Sequence, residues 1–354
     1  MFDIEKMKIK PLCMQAMDAA REHLDDLVKP IGALGGMEEL AVRLAGITGV
    51  VKGDYSQRAV VVFAADNGIW DEGISPVPQE VTAAQTLNIL NGLAGVSVLC
   101  RWANAGLRVV DVGIKAPIAH PFLIQRKVCK GTASIAQGPA MTRRQALEAM
   151  QTGFDQAQEL IGEGVRLLGI GEMGICNTAT SAAVLCALTG AQVTQAVGKG
   201  AGVDEAAFQK KRACVARALE VNKPDLQDPI GVLAKVGGLD IAAMAGAYIA
   251  CGVNGIPAVV DGYISIVAAL AACRLLPELR DYLIASHRSF EPGYALAMEA
   301  LGLRPMIHLD MRLGEGSGCP LAFAVIDAAM AVMREMGTFS QGNIDAGSLV
   351  DIRE

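Results

Sequence analysis

Aromatic and charged side chains are scarce in this sequence: 4% and 19% of its 354 residues, against 52% that are hydrophobic. No long basic run or Lys/Arg stripe occurs and the net charge is −6, which argues against nucleic acid as the main partner. Nine cysteines are scattered without a C-x-x-C pair. Their number is odd and their context mostly apolar, so buried free thiols in a reducing compartment are expected. Four histidines, His23, His120, His287 and His308, show no metal-ligand spacing. Apolar stretches are broken by glycine or charge before about 18 residues, and the first ten residues are too charged for a signal peptide. The expectation is a cytoplasmic protein with no membrane partner. Walker loops, nucleophilic triads, solenoid repeats and low-complexity tracts are missing as well.

What is abundant is alanine and glycine, which suits helices packed closely on a sheet buried on both faces. Apolar runs predict strands over residues 58–66, 107–112, 165–171 and 255–261, and a short buried one over 305–310. Helical spacing predicts helices over 11–28, 37–44, 81–90, 145–163, 178–188, 205–219, 241–251, 264–275 and 321–330. Alternation at this spacing is the signature of an α/β fold with a parallel sheet covered by helices on both faces. The first two helices precede any strand and are expected to pack to one side. The polar tail, residues 341–354, is expected to be frayed or loosely docked.

Two strand–helix junctions carry a carboxylate among glycines. Met311-Arg-Leu-Gly-Glu-Gly-Ser-Gly318 places Glu315 between a strand and a helix, where glycines allow close approach to a ligand. A surface turn with a solvated Glu fits the same spacing. Gly169-Ile-Gly-Glu-Met-Gly-Ile-Cys-Asn-Thr-Ala-Thr-Ser181 places Glu172 ahead of a helix start. Backbone N–H groups there suit an anion, and Asn and Thr also cap helices. The Glu, and the absence of a ribose-binding acid about 20 residues on, separate this junction from the dinucleotide fingerprint and argue against a dehydrogenase. Gly198-Lys-Gly-Ala-Gly-Val203 with Lys210 and Lys211 suits a phosphate, or else a solvated basic helix face. Asp66, ending the first strand before Asn67-Gly68, is either a loop cap or a ligand contact. Two carboxylates plus anion sites point to group transfer from a phosphorylated small molecule, with a carboxylate as base.

Together with Lys29-Pro-Ile-Gly-Ala-Leu-Gly35, Ala65-Asp-Asn-Gly-Ile-Trp-Asp-Glu-Gly73, Lys235-Val-Gly-Gly238 and Asp261-Gly262, these motifs resemble the nicotinate-nucleotide–dimethylbenzimidazole phosphoribosyltransferase family over nearly the whole chain. The resemblance implies a Rossmann-like large α/β domain, residues 51–319, and a small helical domain from both chain ends, 1–50 plus 320–354. It implies phosphoribosyl transfer from nicotinate mononucleotide to a lower-ligand base, giving the α-riboside 5-phosphate used in cobamide assembly, with neither cofactor nor metal. Catalysis would fall to Glu315 and Glu172. The nucleotide and its phosphate would lie at Gly174, Ile175, Cys176, Asn177, Thr178, Gly200 and Lys211, with the choice between Lys210 and Lys211 open. The base would lie at Val77, Gln85 and Leu313.

Val77 stands where well-known members carry a serine, Asn67 where His is common, and Cys176 in place of a small residue. Loss of a polar group at Val77 raises a second reading. In it the acceptor is phenol or p-cresol and the chain is one subunit of a heterodimer with a homologous chain rather than a homodimer. A third reading is a non-catalytic partner subunit, which the intact Glu172 and Glu315 oppose.

Overall fold

The computed structural model describes residues 2–200, 202, 204–345 and 350–353. Six parallel strands form one sheet: β1 (Arg58–Ala65), β2 (Gly106–Gly113), β3 (Leu123–Gln125), β4 (Leu167–Met173), β5 (Ala258–Val260) and β6 (Leu283–Ala285). Their order is β3-β2-β1-β4-β5-β6. The order therefore runs outward in both directions from the β1–β4 pair. In an open parallel sheet the crevice beyond the carboxyl ends of such a pair is where ligands bind.

The sheet separates two apolar cores, and β1 shows why. Val61, Phe63 and Ala65 point into one core, Val60, Val62 and Ala64 into the other, as the two-residue period of a strand requires. The first core is closed by α5 (Arg143–Gly162), α6 (Asn177–Thr189), α9 (Pro229–Val236), α10 (Leu239–Asn254) and α11 (Tyr263–Leu275). Around its margin lie α7 (Val193–Ala196), α8 (Glu205–Asn222) and α12 (Pro292–Leu301). The second core is closed by α1 (Met14–Asp26), α2 (Gly36–Thr48), α3 (Val81–Leu90), α4 (Gly95–Trp102) and α13 (Gly318–Glu335). Small residues set the helix spacing in the first core. A Cβ on Gly153 of α5 would lie 1.7 Å from the Ala243 carbonyl oxygen of α10.

Four strands, β1, β2, β4 and β5, and nine helices, α1, α2, α3, α5, α6, α8, α10, α11 and α13, fall where the apolar pattern predicts them, within a few residues. Residues 305–310 do not form the predicted strand. A single bridge joins Ile307 to His287, and residues 308–310 are exposed. The run passes beyond β6, the edge strand of the sheet, and Met306 in it packs half-buried against the second core. Not predicted were β3, β6, α4, α7, α9 and α12, which are short or carry no strong period. Residues 81–102 are apolar and long enough by composition to cross a membrane, but a turn at 91–94 breaks them into α3 and α4. The chain ends meet. Leu27 bridges Thr338, Ile352 N–H donates to the Ile31 carbonyl, and Arg353 pairs with Asp25 at 3.0 Å. The tail is thus docked through residues 352 and 353; residues 346–349 and 354 lie outside the described residues.

Candidate active site

The site begins with two glycines of β4. Gly169 and Gly171 lie two apart, on one face of the strand, and leave it bare of side chains. The turn before α13 packs onto that face. A Cβ on Gly171 would sit 2.4 Å from the Gly316 backbone nitrogen, and one on Gly169 would sit 2.5 Å from Cys319 Cβ. In the turn, Gly314, Glu315 and Gly316 all have positive φ, +82°, +64° and +84°. For Glu315 this costs about 1–2 kcal/mol. Asp261, at the carboxyl end of β5, holds the turn. Its Oδ2 accepts from Gly316 N–H at 3.0 Å and its Oδ1 from Gly318 N–H at 2.6 Å. Burial pushes the Asp261 pKa up, while nearby His287 and these N–H groups oppose the rise.

A cleft of about 290 Å³ opens beside this turn at the switch point. At one end the Glu315 carboxylate, 4% exposed, is held from two sides. Gln85 Nε2 of α3 donates to Oε1 at 2.6 Å, and the Val96 N–H, in the first turn of α4, donates to Oε2 at 3.3 Å. Val77, Ile175 and Leu313 give this end an apolar lining.

Glu172 occupies the middle. It lies within β4, opposite Phe63 of β1, and not in a loop as the glycine pattern suggested. Asn177 Nδ2 donates both to Glu172 Oε2 and, at 3.2 Å, to Asp240 Oδ2. Gly314 packs so closely that a Cβ there would lie 2.5 Å from Glu172 Oε1. Burial, with Asp240 nearby, pushes the Glu172 pKa up to about 8, and burial pushes Asp240 up to about 6. Asn67 completes the group, accepting from Thr180 and donating to Asp240.

The far end suits an anion. The N-terminus of α6 opens here, entered through Cys176 in left-handed conformation, φ +71°. Lys211, 4% exposed, donates to Thr178 Oγ1 at 2.8 Å and to the Gly198 carbonyl at 2.9 Å. Burial lowers its pKa, and Glu291 opposes that shift. Glu291 Oε1 in turn accepts from Gly200 N–H at 2.9 Å. Lys210 is exposed and sits beside Gly73, outside the cleft, so of the two it is Lys211 that faces the cleft, which Lys199 also lines. Ala201 and Val203 of the third glycine cluster lie outside the described residues. Burial pushes the Cys176 thiol up to about 11, so it is no nucleophile at neutral pH.

All twelve residues that the family resemblance assigns to the site line this one cleft. Asp66 does not. Its carboxylate caps the next loop, accepting from Lys115 N–H at 2.7 Å. Sequence reasoning did not assign Asp261, Asp240, Glu291 or His287 to the site. Asp261 carried a usable signal, an acid at a strand's carboxyl end before glycine. The others gave none, because long-range folding alone brings them in.

The sequence signature of a phosphoribosyltransferase family matches residues 9–344. The nicotinate-nucleotide–dimethylbenzimidazole phosphoribosyltransferase of Ruminiclostridium cellulolyticum is 47% identical over 337 residues, 95% of this chain and 96% of that one. The protein of the same name from Geobacter sulfurreducens is 45% identical, covering 96% and 97%. A crystal structure of the Thermus thermophilus protein of that name superposes with a TM-score of 0.89 at 43% identity, covering 94% of this chain and 99% of that one. With likeness this complete in length, sequence and fold, the chain belongs to the nicotinate-nucleotide–dimethylbenzimidazole phosphoribosyltransferase family.

Proposed function

We propose that the chain transfers the 5-phosphoribosyl group of nicotinate mononucleotide to 5,6-dimethylbenzimidazole, giving the α-riboside 5-phosphate used in cobamide nucleotide-loop assembly. The observation that carries this is one cleft with a held carboxylate at one end, Glu315, and a buried lysine at a helix N-terminus at the other, Lys211. The phosphate is assigned to Gly174, Ile175, Cys176, Asn177, Thr178, Gly200 and Lys211. The acceptor is assigned to the apolar end, between Val77, Gln85 and Leu313.

The chemistry needs one base. The imino nitrogen of the azole attacks C1 of the ribose. The bond from C1 to the quaternary ring nitrogen breaks, and its electrons return to the pyridine ring, so the leaving group needs no acid. Glu315 takes the N–H proton that the alkylated azole must lose. Attack opposite to the leaving group turns a β-nucleotide into an α-riboside. Glu172 faces the ribose. Near a cationic glycosyl nitrogen its pKa falls, and the resulting carboxylate stabilises positive charge at C1. Holding both reactants in line supplies up to roughly 7–11 kcal/mol.

A phenolic acceptor, suggested by Val77, is not favoured, because the relatives are named for dimethylbenzimidazole. The heterodimer tied to it is set aside as well. The proposal includes a cytoplasmic homodimer, for which the exposed Leu93, Val98, Trp102 and Phe122 offer an apolar surface. It includes the division into residues 51–319 and 1–50 plus 320–354; α2 packs on α1 and α13, and all three share the second core with the sheet.

The test is product mass from nicotinate mononucleotide with dimethylbenzimidazole or phenol, for the native chain and Glu315→Gln. The expected result is an α-riboside phosphate of the benzimidazole that falls at least about 100-fold in the variant. Equal turnover by Glu315→Gln, or product from phenol alone, overturns the reading.

A further inference from the structure

The argument rests on Glu315 as the base and concerns what aims it. A carboxylate only accepts hydrogen bonds. Glu315 Oε1 therefore selects the nitrogen end of the Gln85 amide, which donates to it at 2.6 Å. The Gln85 carbonyl oxygen then points the other way. There it accepts from Asn88 Nδ2 at 3.0 Å. Gln85 and Asn88 are three residues apart on α3 and so share a face. Asn88 does not line the cleft itself and reaches it through Gln85, which does. The two ends of a Gln amide are alike in shape, so packing does not distinguish them; hydrogen-bond partners do. The carboxylate fixes one partner and Asn88 the other, and both stabilise the same orientation. The second Glu315 oxygen is held by the Val96 N–H, and the Glu315 backbone by Asp261 through its neighbours. Among the described residues, Gln85 is thus the side chain that hydrogen-bonds the base, and Asn88 is its outer anchor.

We propose that Asn88 is a positioning residue for the transfer, acting through Gln85 to aim the Glu315 carboxylate at the acceptor's N–H proton. Asn88→Leu keeps the size and removes the donor. Asn88→Asp keeps the shape and presents an acceptor, so that both neighbours of Gln85 compete for its single NH2 group.

The experiment measures kcat and KM with nicotinate mononucleotide and dimethylbenzimidazole for Asn88→Leu, Asn88→Asp, Gln85→Leu, Glu315→Gln and the double variant of positions 85 and 88. Asn88→Leu is expected to lower kcat about 5- to 10-fold and Asn88→Asp more. KM for nicotinate mononucleotide stays unchanged, since the phosphate end is built on α6 and α8. Replacing Asn88 by Leu in the Gln85→Leu background costs nothing further, because the residue acts only through Gln85. Native kcat in Asn88→Leu, or losses that multiply in the double variant, overturns the proposal. Should Asn88→Leu fail to fold, the isosteric Asn88→Asp carries the same decision. Retained turnover in Glu315→Gln overturns the base assignment itself, whereas an inactive Glu315→Gln with multiplying losses overturns only the role of Asn88.

Discussion

Glu172 couples the site to the stability of the fold. Its pKa of about 8 lies well above its ordinary 4.5, because burial and the Asp240 carboxyl both disfavour charge. Between those two values the folded chain holds a proton that the unfolded chain has released. Stability therefore falls as pH rises through this window, by up to about 1.4 kcal/mol per pH unit from this group. Asp240, at about 6, acts in the same direction over the lower part of the window. Thermal unfolding of the native chain should show Tm falling from pH 5 to pH 8, and Glu172→Gln should flatten that fall. Equal slopes in the two proteins would rule out Glu172 as the source. At this scale the sequence revealed Glu172 and Glu315 through their glycine neighbours. It did not reveal Asp240, whose contact with Asn177 spans 63 positions of the chain.

Elements decide whether those carboxylates meet. The face of β4 left bare by Gly169 and Gly171 is the floor on which the Glu315 turn rests. Gly171→Ala would drive a methyl group into the Gly316 backbone and lift the turn. The expected cost is about 1–3 kcal/mol in stability, read as a drop in Tm. A loss of kcat beyond about 100-fold should accompany it as Glu315 leaves Gln85. A variant with native Tm and native kcat would show that the turn does not depend on this contact. Most strands and helices were legible because each carries enough residues for its period to show, and three-residue β5 because it lies within a longer apolar run. Residues 305–310 misled because an apolar run looks the same at a sheet edge as in its centre. β6, three residues long, and α12, ten residues long like α3, were missed. Yet they carry His287 and Glu291 into the cleft on the segment between them.

Across the whole molecule, α1, α2 and α13 share one core with the sheet, and a buried ion pair secures their corner. Lys29 Nζ lies 2.9 Å from Glu38 Oε1, with side chains 5% and 8% exposed. Glu38 also accepts from Leu34 N–H. Lys29→Met leaves a buried charge without its partner and should cost about 3–5 kcal/mol. Neither residue lines the cleft, so KM for nicotinate mononucleotide should hold while Tm falls. Replacing both, Lys29→Met with Glu38→Leu, should recover much of the loss. An unchanged Tm in the single variant would show the pair to be dispensable. The sequence by itself determined the α/β class, most of the elements, the family and twelve of the residues that line the cleft, because periods, glycine turns and motifs are local. Only the tertiary structure decided that Lys211 and not Lys210 faces the cleft, that Asp66 is a cap, and that Asp261 braces the Glu315 turn from 55 residues away. Those outcomes depend on which strands become neighbours and which side chains lose water, and neither is written in any short stretch of the chain.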